Sequence, residues 1–254
     1  MTLAQREHYP PKPEAVYFYG TCLMDTLYPQ AGLAAVELIE REGVTVIYPQ
    51  DQTCCGQPPF NSGYREEARA VARAQMALFP KPIPVVIPSG SCGAMMRVHY
   101  PDLFEGAERD QALAFAGRVY EWSEFMVHVL RVSLTDRGAP LRVAYHPSCH
   151  LLRELGVGDA PTALLSQLSG VELRPVQGAT ECCGFGGTFS VKQAPISEAV
   201  VADKCRAVAE SGAEALVSAD CGCLMNIGGA LARQESPLRV LPLAQLIKER
   251  TDEA

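Results

Sequence analysis

Thr53-Cys-Cys-Gly-Gln-Pro-Pro-Phe-Asn-Ser-Gly63 and Cys182-Cys-Gly-Phe-Gly-Gly-Thr-Phe-Ser190 begin their Cys-Cys-Gly triplets 128 residues apart in a chain of 254. A lone cysteine stands on either side of each triplet. Thirty-one residues separate Cys22 from Cys54, and 32 separate Cys149 from Cys182. Thirty-six separate Cys55 from Cys92, and 39 separate Cys183 from Cys223. Eight of the ten cysteines thus fall into two copies of one spacing, which reads as an internal duplication.

The segments between the cysteines alternate strand and helix. Ala15–Tyr19, Val44–Tyr48 and Val85–Ile87 read as strands in the first half, and Val143–Tyr145, Val171–Leu173 and Ala215–Val217 in the second. Helical patterns run from Leu33 to Ile39, Glu66 to Leu78, Trp122 to Leu130, Thr162 to Leu168, Ile196 to Glu210 and Leu243 to Arg250. The stretches from Arg118 and from Arg239 each read as a strand leading into a closing helix. This order predicts α/β architecture with mostly parallel sheets and right-handed crossovers, in two tandem domains related by a pseudo-two-fold axis. The polar stretch Ser133-Leu-Thr-Asp-Arg-Gly-Ala-Pro140 places the boundary, giving domains 1–136 and 137–254. Each cysteine loop then follows the carboxyl end of a strand, where open parallel sheets bind ligands.

Bulk composition narrows the chemistry. The net charge of -7 offers no basic field for nucleic acid. No apolar run approaches the roughly 18 residues of a membrane span. The opening 20 residues lack a signal-peptide layout and read as a polar lead-in to the first strand, which predicts a cytoplasmic protein. In a reducing compartment, regularly spaced cysteines point to metal or redox chemistry before structural disulfides.

Thiolates suit zinc and iron-sulfur clusters alike. Adjacent cysteines face one site only where the backbone bends sharply, and Gly56 and Gly184 permit that bend. A cluster several ångströms across accepts both thiolates more readily than one small ion, and glycine-rich flanks can offer N–H groups to its sulfurs. Cys205, within a helical pattern and without a first-half counterpart, reads as structural. Cys221, two residues before Cys223, is ambiguous. His146 and His150 bracket Cys149, and each reads equally as a partner of the bound group or as a packing residue. Gly184-Phe-Gly-Gly187 lacks the dinucleotide fingerprint, and no flavin or nicotinamide site is legible.

The triplet segments, with Pro88-Ser-Gly-Ser-Cys92, His146-Pro-Ser-Cys-His-Leu-Leu-Arg-Glu-Leu155 and Cys223-Leu-Met-Asn-Ile-Gly-Gly229, resemble the duplicated cysteine-rich CCG-domain family. That family includes cysteine-rich subunits of heterodisulfide reductase, glycolate oxidase iron-sulfur subunits and lactate-utilization proteins. The likeness runs from about Ala15 to Ile247 and is greatest to the lactate-utilization branch. It implies an iron-sulfur electron-transfer subunit, with clusters of the [4Fe-4S] type, in a complex oxidising L-lactate, or a similar 2-hydroxy acid, to pyruvate. Its partners would be other subunits of that complex, including a ferredoxin-type iron-sulfur protein. The implied ligands are Cys22, Cys54, Cys55 and Cys92 in one domain, and Cys149, Cys182, Cys183 and Cys223 in the other. Heterodisulfide-reductase-like members carry a fifth thiolate per motif, where this chain has Ser89 and Asp220. Four thiolates favour a conventional cluster in each domain over a thiol/disulfide redox centre. Zinc in one domain, or a zinc-binding scaffold, is the other reading of the same donors.

Overall fold

The structure, a computed structural model, describes residue 6 and residues 8–252. Among the described residues, eight strands form two four-stranded parallel sheets. The first contains β1 (Ala15–Phe18), β2 (Thr45–Ile47), β3 (Val85–Ile87) and β4 (Val119–Glu121), in the order β2-β1-β3-β4. The second contains β5 (Leu141–Tyr145), β6 (Val171–Arg174), β7 (Ala215–Ser218) and β8 (Arg239–Pro242), in the order β6-β5-β7-β8. The two orders are identical once β5 is set on β1, so the duplication read from the thiols is a duplication of topology. Strands β3 and β7 are buried along their whole length. Their unbroken apolar runs, rather than an alternation, suit parallel strands covered on both faces.

The expected helices are present as Pro29–Glu40, Arg65–Ala77, Ala160–Ser166, Ala194–Glu210 and Leu243–Thr251. The expected helix from Trp122 starts as a short α turn, Trp122–Glu124, and widens into a π segment, Phe125–Leu130. Helices Gly106–Ala116 and Cys221–Arg233 lie where no helix is evident from periodicity. Part of the expected polar lead-in, residues 1–5 and 7, lies outside the described residues. Its described part is tied down: Arg6 donates to the carbonyls of Gly117 and Val119 at 2.8 and 2.7 Å, and Tyr9 donates to Glu124 at 3.1 Å.

Each half gives its closing helix to the other. Leu243–Thr251, from the second half, packs on Pro29–Glu40 of the first. Trp122–Leu130, from the first half, packs on Ala160–Ser166 of the second. One continuous core results, in which Phe18, Leu38, Ile39, Trp122 and Phe125 join Val143, Leu164, Leu246 and Ile247. The Trp122 indole N–H donates to the Ala35 carbonyl at 3.1 Å, so the one tryptophan is both buried and satisfied. Beside it, Arg97 and Glu124 form a fully buried ion pair, with Nη1 2.9 and 3.0 Å from the two carboxylate oxygens. Arg250 grips Asp136 through two N–H groups at 2.8 and 2.6 Å, fastening the segment between the sheets to the last helix.

Candidate metal centres

In both halves the chain leaves a strand and delivers cysteines at the sheet's carboxyl edge. Cys22 opens the helix Cys22–Leu27 after β1, and Cys92 lies in the first turn of Gly90–Ala94 after β3. Cys149 precedes the π segment His150–Glu154 after β5, and Cys223 lies in the first turn of Cys221–Arg233 after β7.

The paired cysteines reach the same edge through a sharp turn. Gly56 and Gly184 take φ of +86° and +85°, the left-handed region that glycine enters at little cost. Cys54 then lies within hydrogen-bonding reach of Cys22 and Cys55, and Cys55 of Cys92. The second set repeats the chain of contacts from Cys149 to Cys182, Cys183 and Cys223, with Cys183 and Cys223 Sγ 3.3 Å apart. The eight predicted cysteines therefore converge as two groups of four. All are free thiols; Cys55, Cys92, Cys183 and Cys223 are buried at the floor, while Cys22, Cys54, Cys149 and Cys182 form the rim.

Packing four thiols together splits their proton affinities. The contact with Cys22, helped by Cys55, pulls Cys54 down to about 2. The contact with Cys149 does the same for Cys182, also to about 2. The contact with Cys54 pushes Cys22 upward, and the contact with Cys182 pushes Cys149 upward. Cys55 and Cys183 rise as well, through contacts with Cys54 and Cys182 and then through burial. Each pocket thus favours one thiolate and keeps neighbouring protons in place. Four thiolates need a positive core among them, which is the service a metal group provides. The donor set fits such a group. The first set also lines a cavity of about 250 Å³, shared with Gln57, Ser91, Phe185, Val191 and Cys221.

Cys221 is the residue that sequence matching placed least well. It is buried, packs against Met24 and Ala31, and lines the cavity of the first set although it belongs to the second half. Its counterpart is Gly90, where a Cβ would stand 2.6 Å from the Leu151 Cβ. Leu151 and Met24 occupy matching places, two residues after Cys149 and Cys22, so the two positions face equivalent neighbours of different bulk. Cys205 is buried in Ala194–Glu210, with Sγ 3.8 Å from the Ile227 carbonyl and outside both groups.

The two residues standing where a fifth thiolate occurs in the wider family meet each other. Ser89 Oγ donates to Asp220 Oδ2 at 3.4 Å, and the Ser91 N–H donates to the same oxygen at 2.7 Å. Asp220 Oδ1 caps its own helix by accepting from the Gly222 and Cys223 N–H groups at 3.0 and 3.3 Å. Both side chains are spent on the contact between halves, a role invisible without the fold. Gln57 adds another link, 3.4 Å from His150, which itself lies 3.6 Å from Cys149 Sγ.

His146 and His150 separate once placed. His150 is half-buried, near Glu154 and Gln57. His146 is buried, and neither ring nitrogen has a partner. Burial lowers its pKa to about 4, so the ring is neutral at pH 7. Its ligand nitrogen, Cys183 Sγ and Cys223 Sγ lie within 4.8 Å of one another. Phe60 packs under its loop with its ring 4.8 Å from His99, whereas Phe189 is partly exposed. Met95, Met96 and Ile227 are core residues, whereas Met225 is half-buried.

Residues 16–97 and 143–228 each match the family described as cysteine-rich domain, CCG. The chain is 48% identical over 239 residues to lactate utilization protein A of Geobacillus kaustophilus, covering 92% of this chain and 99% of that one. It is 46% identical over 239 residues to lactate utilization protein A of Bacillus pumilus, with the same coverage. The crystal structure of a hypothetical protein from Helicobacter pylori superposes with a TM-score of 0.63 at 12% identity, covering 99% of this chain and 52% of that one. That last likeness is one of fold.

Proposed function

Because the chain belongs to the cysteine-rich CCG-domain family, in company with lactate utilization protein A, we propose that it is an iron-sulfur electron-transfer subunit acting in the oxidation of L-lactate, or a similar 2-hydroxy acid, to pyruvate. The observation that carries this reading is the convergence of four thiols at the carboxyl edge of each sheet. Cys22, Cys54, Cys55 and Cys92 would hold one [4Fe-4S] cluster, and Cys149, Cys182, Cys183 and Cys223 a second. When bound, such a group supplies one-electron chemistry. The chain's own residues orient and shelter it: the floor thiols are buried, and the Gly184 N–H points to Cys182 Sγ at 3.3 Å.

The domains implied are 1–136 and 137–254. The hydride would be taken from the hydroxy acid by another protein of the complex, with a ferredoxin-type iron-sulfur protein as one electron partner. Val191, 81% exposed on the rim of the first cavity, with Phe189 and Ile196 nearby in sequence, offers an apolar approach for such a partner. The location proposed with this role is cytoplasmic; no helix among the described residues is long and apolar enough to cross a membrane. A five-thiolate disulfide-cleaving centre is disfavoured, because Ser89 and Asp220 bind each other. The grouping of His146 with Cys183 and Cys223 favours a second reading for the second centre alone, a structural zinc.

Anaerobic reconstitution followed by iron, sulfide and zinc counting tests the proposal. Expected are iron and sulfide at both centres and a visible band that bleaches on reduction. Zinc in both without bleaching would leave a scaffold. Lactate oxidation should need partner proteins, and robust turnover by this chain alone would point to a self-sufficient enzyme.

A further inference from the structure

We propose that the two centres differ in their donors, the second being a mixed nitrogen-sulfur site in which His146 coordinates metal alongside Cys183 and Cys223, in place of one of the rim thiolates Cys149 and Cys182 counted with them above. This rests on the reading that the second centre holds a metal group. It goes further in assigning a nitrogen ligand to one half only.

The argument starts from an unmet need. A buried polar nitrogen without a partner is costly, at about 1–3 kcal/mol, and folded proteins rarely leave one. His146 is 2% exposed and has two such nitrogens. Its surroundings supply the remedy, since the ligand atoms of His146, Cys183 and Cys223 mutually lie within 4.8 Å. Cys183 and Cys223 are also the buried floor of the second set, with 3.3 Å between their sulfurs. A metal drawn to those sulfurs has the imidazole already at hand. Imidazole and thiolate are compatible ligands for both iron-sulfur clusters and zinc.

The first half lacks this donor. Three residues before Cys149 stands His146; three residues before Cys22 stands Tyr19. Tyr19 is also fully buried, but its hydroxyl donates to the Thr53 carbonyl and is satisfied within the protein. Thr53 directly precedes the cysteine pair, and its counterpart is Glu181. The duplicated frame has therefore turned one position into a packing residue in the first half and a free ligand in the second. Where imidazole replaces thiolate on iron, the reduction potential rises. Were iron held there with His146 in place of a thiolate, the second centre would have the higher reduction potential of the pair.

The test uses the metal-loaded full chain, made with natural-abundance and with 15N-labelled histidine. If the second centre holds iron, pulsed EPR of the reduced protein should show a strong directly ligated nitrogen coupling that changes with the label. That coupling should be lost in His146→Phe and kept in His150→Ala. If it holds zinc, X-ray absorption at the zinc edge should give one nitrogen with sulfur neighbours, becoming sulfur-only in His146→Phe. The labelled wild type answers the question even if His146→Phe fails to fold. Metal at the second centre with a sulfur-only shell would overturn this inference and leave the electron-transfer reading standing. No metal at the second centre would overturn both for that half.

Discussion

Replacing Gly184 by alanine should separate the bend at the cysteine pair from ordinary loop tolerance. Gly184 has φ +85°, and an added Cβ would stand 2.8 Å from the Ser197 carbonyl oxygen and 3.3 Å from the Val200 side chain. Gly187, three residues on, has φ +61°, but its Cβ would enter open space. Both substitutions incur the left-handed penalty of roughly 1–2 kcal/mol. Both regain about 0.4–1 kcal/mol from a less mobile unfolded chain. Only Gly184→Ala adds a clash with backbone, of the kind that costs about 1–3 kcal/mol. The first two effects cancel between the variants, leaving Gly184→Ala about 1–3 kcal/mol less stable than Gly187→Ala. Urea unfolding of the metal-free proteins reads this difference, and iron counting after reconstitution reads its consequence for the site. Gly184→Ala should lose iron from the second centre while Gly187→Ala keeps it. Equal stability and equal iron in the two variants would refute the claim that this bend is what aims Cys182 and Cys183 together.

Other perturbations probe other parts. Glu124→Gln removes the carboxylate charge facing buried Arg97 and should cost about 3–5 kcal/mol in denaturant unfolding. Burial raises the Glu121 pKa from 4.5 to about 8, outweighing its hydrogen bonds from Ser123 and the Glu124 N–H. Its contribution is therefore fully present below pH 4.5 and is lost as pH rises through 8, by as much as about 5 kcal/mol at 1.36 kcal/mol per unit. Glu121→Gln should flatten that slope and be more stable than wild type at pH 8.5; an unchanged slope would assign the pH dependence elsewhere. Cys205→Ala should keep the full iron content, whereas Cys183→Ala should lose the second centre; equal losses would contradict the ligand grouping.

The architecture is legible in the sequence because two signals repeat together. Cysteine spacing marks the loops, and buried β-branched runs such as Val85–Ile87 mark the strands between them. Helix Cys221–Arg233 escapes notice because Gly222, Gly228 and Gly229 dilute its propensity. Two of these glycines meet close neighbours, Gly222 beside the Phe185 ring and Gly228 beside Val240, so tertiary packing selects what local propensity opposes. Within the sites, the eight thiols are readable by spacing alone. The Ser89–Asp220 contact and the position of Cys221 are not, since each joins residues more than 100 apart in the chain. His146 could be flagged by its neighbour Cys149, but only burial and the lack of a partner distinguish it from His150. Aligning the two halves, which sets this histidine opposite Tyr19, is a further sequence signal at the position.

The exchange of closing helices sets a timetable for synthesis. Pro29–Glu40 emerges from the ribosome long before the helix that covers it, Leu243–Thr251. Until then its inner face, with Ala35, Leu38 and Ile39, lacks the cover of Leu243, Leu246 and Ile247. Burying those three side chains is worth roughly 5–9 kcal/mol before entropy is counted. The nascent first half is therefore expected to expose this face until Leu243–Thr251 has been made. Deleting Leu243–Thr251 should damage the amino-terminal sheet before the carboxyl-terminal one, and the first group of four cysteines with it.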